Sequence, residues 1–280
     1  MNAQEILDIA LKVSGLDEVP ADSGVIVDGS QIHKVLFGVD MEAAEILLAK
    51  ELGYDGVITH HPKGDNPMIN LFQVMDNQID RMVEAGVPIN KAQKALAERK
   101  GEVDRRMHVN NYDRASSAAR LLGMPFIGIH TPADIMAEKT VQEHLNQSLK
   151  NRPKATLQDV LTSLEELPEY KYTLAKPVIR VGNPDSYAGR VFVTMAGGTS
   201  GGKEVYKAYF EAGIGTLIVM HMPEDVIKAV KEQNIGNVIV AGHMASDSVG
   251  INKIIEALER EGLSVTRMSG VIDPNEKSEL

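Results

Sequence analysis

A chain of 280 residues is long enough for one large or two medium α/β lobes, each with an ample core. Apolar residues make up 43% and charged residues 24%, the mix of an ordinary globular protein, and a net charge of −10 argues against broad binding to nucleic acid or to an anionic membrane surface. There is no cysteine, which excludes disulfides, iron–sulfur clusters and thiolate zinc sites and leaves any metal to His, Asp, Glu and water.

In chain order, residues 2–14 set Ile6, Leu7, Ile9, Ala10 and Leu11 around Glu5 and Asp8, an amphipathic helix rather than a signal peptide, ended by Gly15. No apolar run approaches membrane-spanning length, so the expected location is the cytoplasm. Residues 25–27 and 35–39 are short apolar runs expected as strands, separated by the turn signal Asp28-Gly29-Ser30, and Asp40 follows the second directly. A helix is expected at 42–52, closed by Gly53. Residues 56–59 form a strand that runs straight into His60, His61 and Pro62. A loop at 63–67 leads to a helix at 68–85, where Ile69, Phe72, Met75, Ile79 and Met82 recur at helical spacing. A short strand is expected at 87–89, then a charged helix at 91–106 whose charges read as a solvated face. The polar turn Asn110-Asn111-Tyr112-Asp113 opens a helix at 114–122, closed by Gly123.

The strand at 126–129 also ends in histidine, in the run His130-Thr131-Pro132-Ala133-Asp134. Helices are expected at 138–150 and 156–167, the second capped by Thr156 with Asp159 in its first turn. Asn151-Arg152-Pro153 between them marks the boundary of two lobes, 1–151 and 152–280. Beyond it come strands at 178–181 and 191–195 and the glycine-rich loop 197–202, read as a tight turn into a helix at 203–211. The loop lacks the spacing of a P-loop or dinucleotide fingerprint. A strand at 216–220 ends at His221, a helix follows at 223–231, and a strand at 238–241 ends in Gly242-His243. A helix at 248–259, a strand at 264–267 and a frayed tail from Asp273 complete the chain.

Strand–helix alternation throughout predicts an α/β fold with mostly parallel sheets flanked by helices in each half. A weak internal repeat points to two related lobes: residues 53–61 and 213–221 each run from a glycine through a strand to a histidine, and His61 coincides with His221.

Four expected strands thus deliver His60 and His61, His130, His221 and His243 at their carboxyl ends, where open parallel sheets bind ligands. Asp40, Asp113 and Asp247 add carboxylates, and Asp247 follows His243 by four residues, so the two face the same side if the helix has begun there. Imidazoles mixed with carboxylates suit two divalent ions bridged by a carboxylate, which activate a water between them. Gly-Val-Ile-Thr-His-His-Pro, an aspartate in a mid-chain turn, and Ala-Gly-His-Met-Ala-Ser-Asp near the end resemble the Nif-three-like family of dinuclear metal-centre hexameric proteins.

The resemblance implies two lobes with two metals in the cleft between them, assembled as a toroidal hexamer. Some members carry a type-two GTP cyclohydrolase designation. By motif, the implied ligands are His60, His61, Asp113, His243 and Asp247. The family has glutamate where Asp247 stands, and Met220-His221 replaces its Gly-Glu. Its mid-chain spelling, His-Thr-x-x-Asp, fits Asp134 rather than Asp113; Asp113 is preferred on the order of the helix that follows, with Asp134 as the alternative. The expected function is metal-dependent hydrolysis of a phosphorylated or nucleotide-like small molecule, with two ions drawn from zinc, iron, manganese, nickel or cobalt and His130 or His221 as proton shuttle. The rival is a non-catalytic metal-handling or regulatory protein forming a hexameric ring.

Overall fold

The computed structural model describes residues 1–275; the end of the expected frayed tail, 276–280, lies outside the described residues. The first half runs α1 (Ala3–Ser14), β1 (Gly24–Val27), β2 (Lys34–Gly38), α2 (Ala43–Glu51), β3 (Gly56–Thr59), α3 (Asp65–Ile69), α4 (Asn77–Ala85), α5 (Ile89–Met107), α6 (Arg114–Leu122), β4 (Phe126–Gly128) and α7 (Thr131–Ser148). The second runs α8 (Leu157–Leu164), α9 (Pro168–Tyr172), β5 (Val178–Val181), β6 (Val191–Val193), α10 (Lys203–Glu211), β7 (Thr216–Val219), α11 (Glu224–Gln233), β8 (Asn237–Val240), α12 (His243–Arg260) and β9 (Ser264–Met268).

Local chemistry sets several boundaries. Asn2 and Glu5 form a capping box that starts α1, and Gly15 ends it in the left-handed conformation (φ 77°) that a side chain disfavours. Thr156 and Asp159 do the same for the start of α8. β3 and β7 are buried along their whole length, as expected of central strands covered on both faces.

The two sheets repeat one plan. Their orders are β1-β4-β3-β2-β9 and β5-β8-β7-β6. In each, the first strand lies antiparallel to the fourth with a register shift, at Val25/Val27 and again at Ile179/Val181, and the remaining pairs are parallel. β3 and β7, the strands of the sequence repeat, occupy the same place. The lobes are therefore related, as the repeat indicated.

Several expectations do not hold. β9 does not stay with the second half; it pairs in parallel with β2, from Lys34↔Ser264 to Gly38↔Met268. Ile251, Ile254, Ile255 and Leu258 of α12 share a core with Ile6, Leu7, Phe37 and Ile58, so a division at 151/152 does not separate two self-contained cores. Residues 87–89 are not a strand. Val87 packs into a core cluster and α5 starts at once after Pro88, whose missing N–H suits a helix entrance and not a ladder. The helix expected at 68–85 is divided into α3, a 3-10 turn (Leu71–Asp76) and α4, because Asn70 leaves helical geometry (φ −91°, ψ 6°).

The two differences that matter for function are both early helix starts. α7 begins at Thr131, with Pro132 in its first turn where a missing N–H costs nothing, so the run after His130 is helix and not loop. α12 begins at His243, after Gly242 at φ 103°. His130-x-x-x-Asp134 and His243-x-x-x-Asp247 thus stand at matching helix entrances. α7 and α12 pack tightly enough that a Cβ on Gly250 would sit 1.9 Å from the Ala133 carbonyl oxygen.

Candidate metal centre

β3 delivers His60 and His61 at its carboxyl end, β4 delivers His130, the first turn of α7 delivers Asp134, and α12 delivers His243 at its start and Asp247 one turn further on. A carboxylate in the first turn of a helix, as Asp134 is, is favoured there by the helix dipole. Three sets of side chains have the spacing to hold a cation: His61, His243 and Asp247; His60, Asp134 and Asp247; and His60, His61 and His130.

In the first set, His61 Nε2 lies 3.2 Å from His243 Nε2 and 3.5 Å from Asp247 Oδ2, and His243 Nε2 lies 3.4 Å from the same oxygen. In the second, His60 Nε2 lies 3.5 Å from Asp134 Oδ1 and 3.6 Å from Asp247 Oδ1. Ligands at ~2.0–2.1 Å from a tetrahedral ion stand roughly 3.4 Å apart, which matches these edges. Each oxygen of Asp247 faces a different set, as a bridging carboxylate would.

The residues present therefore fit divalent metal binding, and the test is internal to the structure. His60 Nε2 and both Asp247 oxygens are buried without a hydrogen-bond partner, although Asp247 is 1% exposed. Such orphaned groups are costly unless something satisfies them. Meanwhile the outer nitrogens are engaged: His60 Nδ1–H donates to the Ile129 carbonyl (3.1 Å), His61 Nδ1 pairs with Asp40 (2.9 Å), and His130 Nδ1 with Asp22 (2.6 Å). With Nδ1 occupied, all three Nε2 atoms are left to face inward, the arrangement seen for histidines that ligate metal.

The electrostatics of the ion-free cluster follow from burial opposed by pairing. Burial resists the ionisation of Asp247, yet the surrounding imidazoles hold it well below the usual carboxylate range. Asp134 goes the other way, pushed up to about 6 chiefly by burial. Burial works against a charge on His130, but Asp134 and Asp22 outweigh it and raise the ring to about 9. His61 is raised as well, by Asp247 and Asp40 against its burial. Burial lowers His221, and lowers His243 to about 4.

Of the residues singled out in the sequence, His60, His61, His130, His243 and Asp247 come together, and His221 lies beside them, its ring 4.9 Å from that of His243. Asp113 does not join them. It sits at the entrance of α6, 52% exposed, in an ion pair with Arg120, and Asp134 holds the position the alternative gave it. Sequence reasoning missed Asp22 altogether; its only signal is a place just ahead of a strand that pairs antiparallel with the one ending at His130.

The cluster forms one wall of a cavity of about 400 Å³, a size typical of small-molecule sites. Lys63, Arg106, Tyr206 and the glycine-rich loop line the rest. The loop is tied down by Gln78, whose Nε2 donates to the Gly197 and Thr199 carbonyls (2.8 and 2.7 Å), and by Arg99, whose Nε donates to the Ser200 carbonyl (3.2 Å). Gly198 is at φ 75°, and a Cβ there would lie 2.9 Å from Val74, so the loop needs glycine at this point.

Two related α/β lobes with an imidazole–carboxylate cluster at their strand ends make the chain a candidate metal-binding protein. A NIF3 superfamily protein from Sphaerobacter thermophilus is 36% identical, with a TM-score of 0.93 over 96% of this chain and 98% of that one. The chain belongs to the NIF3 superfamily. Reduced HcgD from Methanocaldococcus jannaschii (16% identity, TM-score 0.62, 95% and 97% covered) and TTHA1606 from Thermus thermophilus (19%, 0.58, 96% and 98%) share the fold. No protein-family model and no curated protein matches the sequence.

Proposed function

We propose that the chain binds two divalent ions and uses them to hydrolyse a phosphorylated or nucleotide-like small molecule. One observation carries the metal assignment: both oxygens of buried Asp247 lack partners, and each faces a separate ligand set. His61 and His243 would hold one ion, His60 and Asp134 the other, with Asp247 between them. His130 groups with His60 and His61, and its Nε2 lies 3.8 Å from Asp134 Oδ2, so His130 is assigned to the second ion. The ion pair, when bound, supplies an activated water and neutralises charge on the substrate oxygens. His221, which reaches the cavity and stays outside all three ligand sets, is left as the group that moves a proton. Lys63, Arg106 and the glycine-rich loop would receive the anionic part of the substrate, which matters in a chain of net charge −10.

A second reading is a metal-handling protein without turnover. It is favoured by His243, whose side chain is 38% exposed and would leave its ion open to exchange. The family's hexameric ring is carried with either reading, and a solution mass checks it. No helix among the described residues is long and apolar enough to cross a membrane.

The deciding experiment loads the protein with zinc, manganese, iron, nickel or cobalt and follows turnover over a panel of phosphoesters and nucleotides. Loss of metal and turnover together in His61→Ala and His243→Ala supports the hydrolase. Full turnover after chelation refutes it, and readily exchanged metal without turnover favours metal handling.

A further inference from the structure

Asp22 lies in the turn before β1 and is fully buried. The β1–β4 ladder explains its place. Gly24 pairs with Gly128, so two residues outward on each strand Asp22 stands opposite His130. Its Oδ2 is 2.6 Å from His130 Nδ1 and accepts from the Thr131 hydroxyl at 2.8 Å. The Ser23 hydroxyl donates to Asp22 Oδ1 (3.2 Å) and accepts the His130 backbone N–H (3.0 Å). Ring, backbone and the next side chain are thus fastened to one carboxylate and its neighbour. In the second lobe the corresponding residues are Lys176 and Gly242, so the repeat did not impose the pairing.

We propose that Asp22 is a positioning residue for the metal centre: by accepting the Nδ1 proton of His130 it fixes the ring's tautomer and direction, so that a bare Nε2 faces His60 and His61. This rests on the metal assignment above. The reason is general. A ligating imidazole must present an unprotonated nitrogen, and a carboxylate on the other nitrogen both selects that tautomer and makes the ligand more basic. A buried carboxylate with three donors and no exposure has little freedom to be anything but a fixed acceptor. The Ile129 carbonyl does the same for His60, and Asp40 for His61.

The test titrates the ion-free full chain with cobalt against a competing chelator, following the visible spectrum of the bound ion. Asp22→Asn, which keeps the shape and loses the charge, should weaken one of the two binding steps roughly 10–100-fold and alter its cobalt spectrum. In a His130→Ala background the same substitution should add nothing. In the zinc-loaded wild-type protein, nitrogen NMR of His130 should show a protonated Nδ1 and an Nε2 without a proton, a readout that does not require the variant to fold. Unchanged affinities in Asp22→Asn, an undiminished effect without His130, or a proton on Nε2 with Nδ1 bare in the zinc-loaded protein would overturn the assignment of Asp22 while leaving the metal centre standing. Failure of the wild type to take up cobalt would overturn both.

Discussion

Asp247 carries more of the centre than any other residue. Among the described residues, Asp247 alone belongs to both carboxylate-containing ligand sets, so Asp247→Asn should reduce bound metal from two ions to one or none, measured by elemental analysis of the purified protein. The mid-chain carboxylates separate cleanly. Asp134→Asn should lose the ion shared with His60, whereas Asp113→Ala should keep full metal content and forfeit only a surface ion pair worth about 0–1 kcal/mol. The ionisation pattern gives a pH dependence. His130 is charged below about 9 and must lose its proton to bind metal, so uptake at neutral pH releases protons and affinity falls as pH falls. Calorimetry in buffers of different ionisation enthalpy reads this directly; uptake with no proton release would contradict it. For ion-free protein the sign reverses. His130 is raised from 6.5 to about 9, so its contribution to stability is fully present below 6.5 and is lost as pH rises through about 9. His61 is raised too and acts in the same sense. Denaturant melts of ion-free protein should therefore weaken above neutral pH.

At the scale of elements, the centre depends on α7 and α12 crossing closely enough to bring two His-x-x-x-Asp turns face to face. Gly250 permits that approach. Gly250→Ala would force the helices apart, and overpacking of this kind costs about 1–3 kcal/mol. Reduced metal affinity should accompany the fall in thermal stability, and wild-type melting with wild-type affinity would refute this account of the crossing. The elements also show what the sequence could reveal. Strands ending in histidine were legible because a continuous apolar run followed by His60, His130, His221 or His243 is a local pattern. The helix starts at Thr131 and His243 were not, because proline and glycine at those positions read as breaks when only neighbours are considered. Missing the start of α7 is what let Asp113 be preferred over Asp134. A carboxylate four residues past His130 is on the histidine's own helix face only if the helix has already begun.

Across the whole molecule, the internal repeat proved the most informative long-range signal: it pointed to two related lobes, and the sheets share the order of their first four strands and an antiparallel first pair. The return of β9 to the first sheet had no such signal. Its pairing with β2 joins residues more than two hundred positions apart, and no local property of 264–268 names that partner. Asp22 was invisible for the same reason, being set opposite His130 by a ladder and not by a motif. Because both halves contribute side chains to the proposed centre, ion binding there should stabilise the chain as a unit. One site filled at a hundred times its dissociation constant contributes about 2.7 kcal/mol, so a melt with and without a saturating divalent ion should show a clear upward shift.

The most direct measurement is anomalous scattering from crystals grown with a divalent ion, combined with metal analysis of the same sample. The account predicts two ions per chain, about 3.5–4 Å apart, with Asp247 between them and Asp134 on one side. A single ion, or a pair placed away from Asp247, would contradict it.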